Sequence, residues 1–263
     1  MPLESTGNPP PHVGGYTPKR LKLSKTSLAS DQRIARNPAM KRFFAEAFGT
    51  FALVFAGTGA IVIDSLTQHS ITHAGIALTF GLIVLAMIYT LGEISGAHLN
   101  PAVTLGFCAA GRMAWATAPA YIASQCLGAL AASALLRLLF PQHEWLGTTQ
   151  PEGPAMQSFV LEIILTVILM FVILNVSTGA KEKGITAGIA VGSVIALEAM
   201  FAGPISGASM NPARSLAPAL VSGHLANLWI YLAAPVIGSL LAVPACRCVQ
   251  SEGCCARPAT HGA

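Results

Sequence analysis

The sequence predicts an all-α polytopic membrane protein: six transmembrane helices plus two re-entrant half-helices in an inverted repeat. Three observations lead there. Composition is the first: of 263 residues, 53% are hydrophobic and only 10% charged, with a mean hydropathy of +0.62. A soluble domain carries about 25% charged residues to solvate its outer faces, so an ordinary soluble enzyme and a disordered chain are excluded. The second is a set of six apolar segments, each near the ~20 residues that cross a bilayer as a helix. The third is a Gly- and Pro-interrupted string that occurs twice, near 95–107 and 206–218.

Taken in order, residues 1–42 are rich in Pro, Gly, Ser and Lys and read as a disordered N-terminal tail without a signal peptide. The membrane-spanning body covers 43–246, with halves of about 43–140 and 157–246, followed by a short tail, 247–263. Its apolar segments run approximately 43–63, 74–91, 116–139, 157–176, 185–202 and 226–246. The net charge of +4 is no nucleic-acid footprint, because eight of the 15 Lys and Arg lie in the first 42 residues. Arg112, Lys181, Lys183, Arg247 and Arg257 fall on the same side of the predicted membrane, and only Arg137 and Arg214 fall outside that set. Cationic loops stay in the cytoplasm, so both termini are expected there, in a plasma or inner membrane. The sequon at Asn175 then faces the cytoplasm and carries no glycan. The six Cys form no disulfide framework, and Cys246, Cys248, Cys254 and Cys255 read as free thiols in a cytoplasmic tail.

The duplicated string is the most informative feature. Gly92-Glu93-Ile94-Ser95-Gly96-Ala97-His98-Leu99-Asn100-Pro101-Ala102-Val103-Thr104-Leu105 matches Gly203-Pro204-Ile205-Ser206-Gly207-Ala208-Ser209-Met210-Asn211-Pro212-Ala213-Arg214-Ser215-Leu216 at nine of fourteen positions, at an offset of 111. Glu46 similarly answers Glu162, at an offset of 116. Three spans per half is an odd number, so the halves must have opposite topology, which places a site at the midplane between broken helices. Asn is a favoured N-cap and Pro suits the first helical position, so each Asn-Pro-Ala reads as a loop, a cap and a short helix. Two such N-termini meeting mid-membrane present roughly +0.5 of an elementary charge each, a barrier to cations and protons. Asn100 and Asn211 cap with their side-chain oxygens and are expected to turn their NH2 donors to the lumen.

The paired Asn-Pro-Ala boxes after Ile-Ser-Gly-Ala, with Arg214 behind the second, resemble the aquaporin (major intrinsic protein) superfamily over about 42–246. Phe201 to Leu216 is most similar to the nodulin-26-like, solute-permeable branch. The resemblance implies a passive channel for water and small uncharged solutes such as glycerol, urea, and boric or arsenous acid, excluding ions. It also implies a homotetramer in the lipid bilayer, with no cofactor, no bound metal and no enzymatic activity. It assigns the pore motifs to Asn100, Pro101, Ala102, Asn211, Pro212 and Ala213, and the selectivity filter to Phe80, Ala199, Ala208 and Arg214. Pore-loop support falls to Glu46, Glu162 and Gln125, with His98 a hydrogen-bonded loop histidine. Water-selective relatives resemble one another in a His where this chain has Ala199, so a wider and less polar filter is implied. Ser215 and Ala219 instead look like the water-channel pattern, and Tyr231-Leu232 fits neither type.

Other classes fit less well. A water-selective aquaporin is the principal alternative. A secondary transporter also uses inverted repeats, but Arg214 beside two positive helix ends is hostile to a coupling cation. An intramembrane enzyme lacks its parts, since no Ser/His pair, metal motif or Asp dyad occurs in the spans. Gly49, Gly57, Gly128 and Gly192 suit close helix crossings, and His69 and His73 read as solvated in the first outer loop.

Overall fold

The computed structural model describes residues 37–177 and 181–249, without the side chains of 181–185. The readings of the tail before residue 37, of Arg257, and of Cys254 and Cys255 therefore lie outside it. Eight helices follow one another: α1 Pro38–Leu66, α2 Thr72–Ser95, α3 Pro101–Ala109, α4 Ala118–Leu139, α5 Ala155–Val176, α6 Lys181–Ser206, α7 Pro212–Ser222 and α8 Leu228–Val249. A single 3₁₀ turn, Trp115–Thr117, leads into α4. The six long helices are long and apolar enough to cross a membrane. The two short ones, α3 and α7, follow the two Asn-Pro boundaries.

Most helices outrun the apolar segments that announce them. Helix α1 begins at Pro38 rather than near 43, because Pro sets the helical φ of a first turn and Lys41 and Arg42 are good helix formers. Apolarity marks the part of a helix that can sit in hydrocarbon, and the backbone continues past it. Helix α2 stops at Gly96, whose left-handed φ of 88° turns the chain inward.

The outer face is apolar, as a lipid solvent demands, and the interior holds many polar side chains beside an apolar core. Phe44, Leu82, Leu127 and Leu138 are exposed, while Glu46, Thr50, Gln125, Ser133, Glu162, Thr166 and Ser239 are fully buried. Two of these hydroxyls bond within their own helix, Thr50 donating to the Glu46 carbonyl at 2.7 Å and Thr166 to the Glu162 carbonyl at 2.7 Å, while Ser239 reaches the Ala102 carbonyl at 2.6 Å.

Packing repeats between the halves. Helix α1 packs on α2 and α4 as α5 packs on α6 and α8, and α2 meets α6 across the centre. The short helices are exchanged, with α3 lying against α8 and α7 against α4. Each half is therefore completed by an element of the other. The close crossings rest on glycine: a Cβ at Gly128 would strike the Ala47 carbonyl, and one at Gly238 the Ile163 carbonyl. Ala47 and Ile163 are the residues after Glu46 and Glu162, so the crossings are equivalent. Gly81 and Gly192 face each other across α2 and α6 in the same way. Gly49 and Gly57 do something else, making room for the Leu99 and Phe80 side chains.

Three smaller readings change. His69 is exposed but its Nδ1 lies 2.9 Å from Asp64, and His73 Nε2 lies 2.7 Å from the Met200 carbonyl, so neither is merely solvated. Cys108, Cys126 and Cys248 are free thiols, but Cys246 is disulfide-bonded, against the reading of the C-terminal cysteines as free. Sequence spacing alone could not reveal that pairing.

Gly128→Ala should destabilise the protein by about 1–3 kcal/mol, because the new methyl meets backbone that cannot rotate away. Gly92→Ala, in a helix with no neighbour within 4 Å, should be neutral or stabilising by up to ~1 kcal/mol. Unfolding in detergent, followed by circular dichroism, measures both.

Candidate functional site: a central pore

The site is built from the two chain breaks upward. After α2, residues 96–100 re-enter the interior and end at Asn100, whose extended backbone (φ −159°) caps α3. Its Oδ1 accepts from the Ala102 N–H at 2.8 Å. After α6, residues 207–211 do the same, and Asn211 Oδ1 accepts from Ala213 at 3.0 Å and Arg214 at 3.3 Å.

Neither loop is relaxed. Besides Gly96 and Gly207, the non-glycine residues Ala97, Leu99, Ala208 and Met210 hold φ of 46°, 51°, 40° and 53°. Each such residue costs roughly 1–2 kcal/mol, which other bonds must offset. Two buried carboxylates supply those bonds. Glu46 Oε1 accepts from Ser95 Oγ at 2.7 Å and His98 N at 3.0 Å, and Oε2 from Leu99 N at 2.8 Å and Gln125 Nε2 at 2.8 Å. Glu162 Oε1 accepts from Ser206 Oγ at 2.8 Å and Ser209 N at 2.9 Å, and Oε2 from Met210 N at 2.8 Å. The backbone N–H groups that the left-handed turns point inward are the groups the carboxylates need.

Sequence reasoning missed two further supports. Tyr121 donates to the Ser95 carbonyl at 2.8 Å, and Tyr231 to the Ser206 carbonyl at 2.6 Å. Tyr231 is fully buried and is the counterpart of Tyr121, a brace for the loop rather than a lumen residue. That role explains why it matches no substrate pattern. Gln125 also donates to Thr104 Oγ1 at 2.9 Å. Thr104 spends its own proton on the Asn100 carbonyl at 3.1 Å, so its contact with His98 Nδ1, at 3.1 Å, requires the imidazole to donate. His98 further stacks on Phe107 with centroids 4.5 Å apart. These contacts hold the imidazole between Thr104 and Phe107.

The two loops are also tied to each other. Asn100 Nδ2 donates to the Met210 carbonyl at 2.7 Å, and Asn211 Nδ2 to the Leu99 carbonyl at 2.9 Å. This corrects the expectation that both NH2 groups simply face the lumen. One N–H of each amide joins the opposite loop, and the second N–H is what each can offer a passing oxygen. A left-handed residue just before each cap aims the carbonyl across, which no motif reading could foresee.

A cavity of about 110 Å³ runs beside this junction, and Asn100, Asn211, His98, Phe80, Ala199, Ala208 and Arg214 all line it. All four residues of the expected filter thus reach one space. Arg214 is 3% exposed; its Nη1 donates to the Gly147 carbonyl at 2.8 Å, and its guanidinium lies 5.1 Å from the centre of the Phe80 ring. Phe80 fits because Gly57 has no side chain where the ring sits. Gly147, on the α4–α5 connection, is a site residue without any sequence signal, since it contributes only a carbonyl. Pro101, Ala102, Pro212 and Ala213 are buried in the first turns of α3 and α7 and shape the caps.

A model of the major intrinsic protein family matches residues 33–245. The chain belongs to the major intrinsic protein, or aquaporin, family. It is 50% identical to Aquaporin NIP1-1 of Zea mays over 204 residues, 77% of this chain and 72% of that one. It is 45% identical to Nodulin-26 of Glycine max over 218 residues, 82% of this chain and 80% of that one. Its fold is similar to the aquaglyceroporin of Plasmodium falciparum, with a TM-score of 0.72 and 27% identity over 78% of this chain and 94% of that structure. It is therefore a multi-pass membrane channel for water and small solutes, of the nodulin-26-like kind.

Two acidic residues stand apart from the aquaporin pore. Glu93 is exposed. Glu198, beside Ala199, is 1% exposed, is absent from the cavity lining, and has both carboxyl oxygens without a hydrogen-bond partner among the described residues. The contrast with Glu162 makes a stability test. Glu162→Ala orphans three buried donors and should cost more than about 3 kcal/mol, because each unmade buried bond costs ~1–3. Glu198→Leu removes an unsatisfied group and should raise the melting temperature. Thermal unfolding of the two variants in detergent should move in opposite directions.

Proposed function

We propose that this aquaporin is a passive channel that conducts water together with small uncharged solutes, namely glycerol, urea, and boric or arsenous acid, and excludes protons and ions. The reading is carried by one observation: Phe80 and Arg214 share the cavity with two alanines, Ala199 and Ala208. An aromatic wall, a donor and two methyl-sized residues suit a solute that is apolar on one side and hydroxylated on the other. An imidazole in place of Ala199 would narrow the opening and add a donor, favouring water alone.

In this reading Asn100 and Asn211 orient each passing oxygen with their remaining amide hydrogens. An oxygen that accepts from both cannot relay a proton along the file. Helices α3 and α7 point their N-termini at the same place, and Arg214 adds a full charge, so a cation meets a barrier from three positive groups. Glu46 and Glu162 spend their oxygens on the loops and do not line the cavity, so neither offers a passing cation a binding site. Transport follows the gradient, with no cofactor and no catalytic step. The chain assembles as a homotetramer with one pore per subunit in the cell membrane, with both termini cytoplasmic. The orientation is supported by the Lys and Arg on that side.

The test is stopped-flow light scattering on liposomes carrying the full chain, with a sucrose shock set against inward gradients of glycerol, urea and arsenous acid. Shrinkage followed by solute-driven re-swelling is expected; shrinkage alone would make this a water-selective channel. Ala199→His combined with Ala208→Thr should cut glycerol flux at least about tenfold while reducing water flux far less. An equal loss in both would mean that the constriction lies elsewhere. Arg214→Ala should admit ions or protons, read as dissipation of a pH gradient across the same liposomes.

A further inference from the structure

Arg214 is held through the Gly147 carbonyl, so whatever aims that carbonyl controls the guanidinium. The α4–α5 connection around Gly147 reaches the cavity through its bond to Arg214 and is tied to α7 downstream. Thr148 Oγ1 lies 3.0 Å from Ser222 Oγ, and Thr149 Oγ1 donates to Ser215 Oγ at 2.8 Å. Upstream the tie is of another kind. The Trp145 ring stacks on His224, with centroids 3.6 Å apart and planes 23° apart, and His224 Nε2 lies 3.5 Å from Glu144 Oε1.

His224 is the residue after Gly223, the left-handed cap of α7, the helix that carries Arg214 near its start. The connection therefore touches α7 at both ends: at its start through Gly147 and Arg214, at its far end through Trp145 and His224. Only Leu146 lies between these contacts, and it and Gly147 are successive left-handed residues with φ of 50° and 71°. Leu146 is buried against Val62 and Leu136, which fixes its depth. Depth alone does not set the rotation of the next peptide. Thr148 closes a turn over Leu146 and Gly147, its N–H and Oγ1 donating to the Trp145 carbonyl at 2.9 Å and 2.6 Å, and the flat stack on His224 anchors the residue on which that turn is built.

We infer that the Trp145–His224 stack is a positioning clasp that aims the Gly147 carbonyl at Arg214 and thereby sets the selectivity of the filter. Trp145 and His224 touch no solute; they act through Gly147. The imidazole serves as a ring face. Glu144 is largely exposed and its partnership with His224 is screened by solvent, so the stack rather than the ion pair carries the effect.

The inference rests on the reading of Arg214 as the filter, and the experiment separates the two. Water and glycerol permeabilities of the full-length protein are measured in liposomes for wild type, Arg214→Ala, His224→Ala, His224→Phe and Trp145→Leu. His224→Ala and Trp145→Leu should each shift the glycerol-to-water ratio roughly three- to tenfold, the size an aromatic pair can supply. His224→Phe keeps a stacking face but loses the Glu144 contact, and should return the ratio to within about twofold of wild type. An unchanged ratio in Arg214→Ala would overturn the filter reading itself. A shift in Arg214→Ala with none in His224→Ala would overturn the clasp alone, as would a His224→Ala shift that Phe does not rescue. Where His224→Ala yields no folded protein, Trp145→Leu carries the same decision.

Discussion

Everything central in this protein depends on two buried carboxylates accepting hydrogen bonds from backbone that has nowhere else to place them. A loop that dips into a membrane cannot use water, so its N–H groups need a partner within the protein. Glu46 and Glu162 provide it, and the chain adopts successive left-handed residues in order to reach them. The energy runs both ways. Unbonded, either carboxylate would be too costly to bury and the loops too strained to persist; together they form a compact knot, with Ser95 and Tyr121 on one side and Ser206 and Tyr231 on the other.

From the knots the lumen follows. Once each loop is fixed, Asn100 and Asn211 cap their helices and cross to the opposite carbonyls, so the two halves meet as one rigid junction. Helices α3 and α7 then aim their positive ends at a common point. Arg214 stands on the second knot: it lies three residues beyond Asn211, and its far end is caught by the Gly147 carbonyl. The cavity is bounded by a few groups held still, with the small residues Ala199, Ala208 and Gly57 setting how much room remains. Glu198 is the exception, buried without bonds beside the filter, and no element of the pore explains it.

Much of this was legible in the residues. A low charge content and six apolar runs announced the spans, and an Ile-Ser-Gly-Ala…Asn-Pro-Ala string repeated at an offset of 111 announced opposed halves. The buried acids were visible as Glu in otherwise apolar helices. What could not be read were groups that act through backbone or through remote packing. Gly147 offers only a carbonyl. Tyr121 and Tyr231 look like ordinary aromatic residues of a span. Trp145 and His224 lie 79 positions apart.

The sequence by itself determined the fold and its two opposed halves, because each follows from a local pattern: span length, cap chemistry and an internal repeat. Only the tertiary structure decided how those parts are held, since that depends on which distant atoms meet. It joined each asparagine amide to the opposite loop instead of leaving both N–H groups to the lumen. It set Phe80 against Arg214 over a glycine, and it brought a connecting loop to Arg214 through the Gly147 carbonyl. Local patterns are written along the chain; the partners of a buried hydrogen bond are chosen in space.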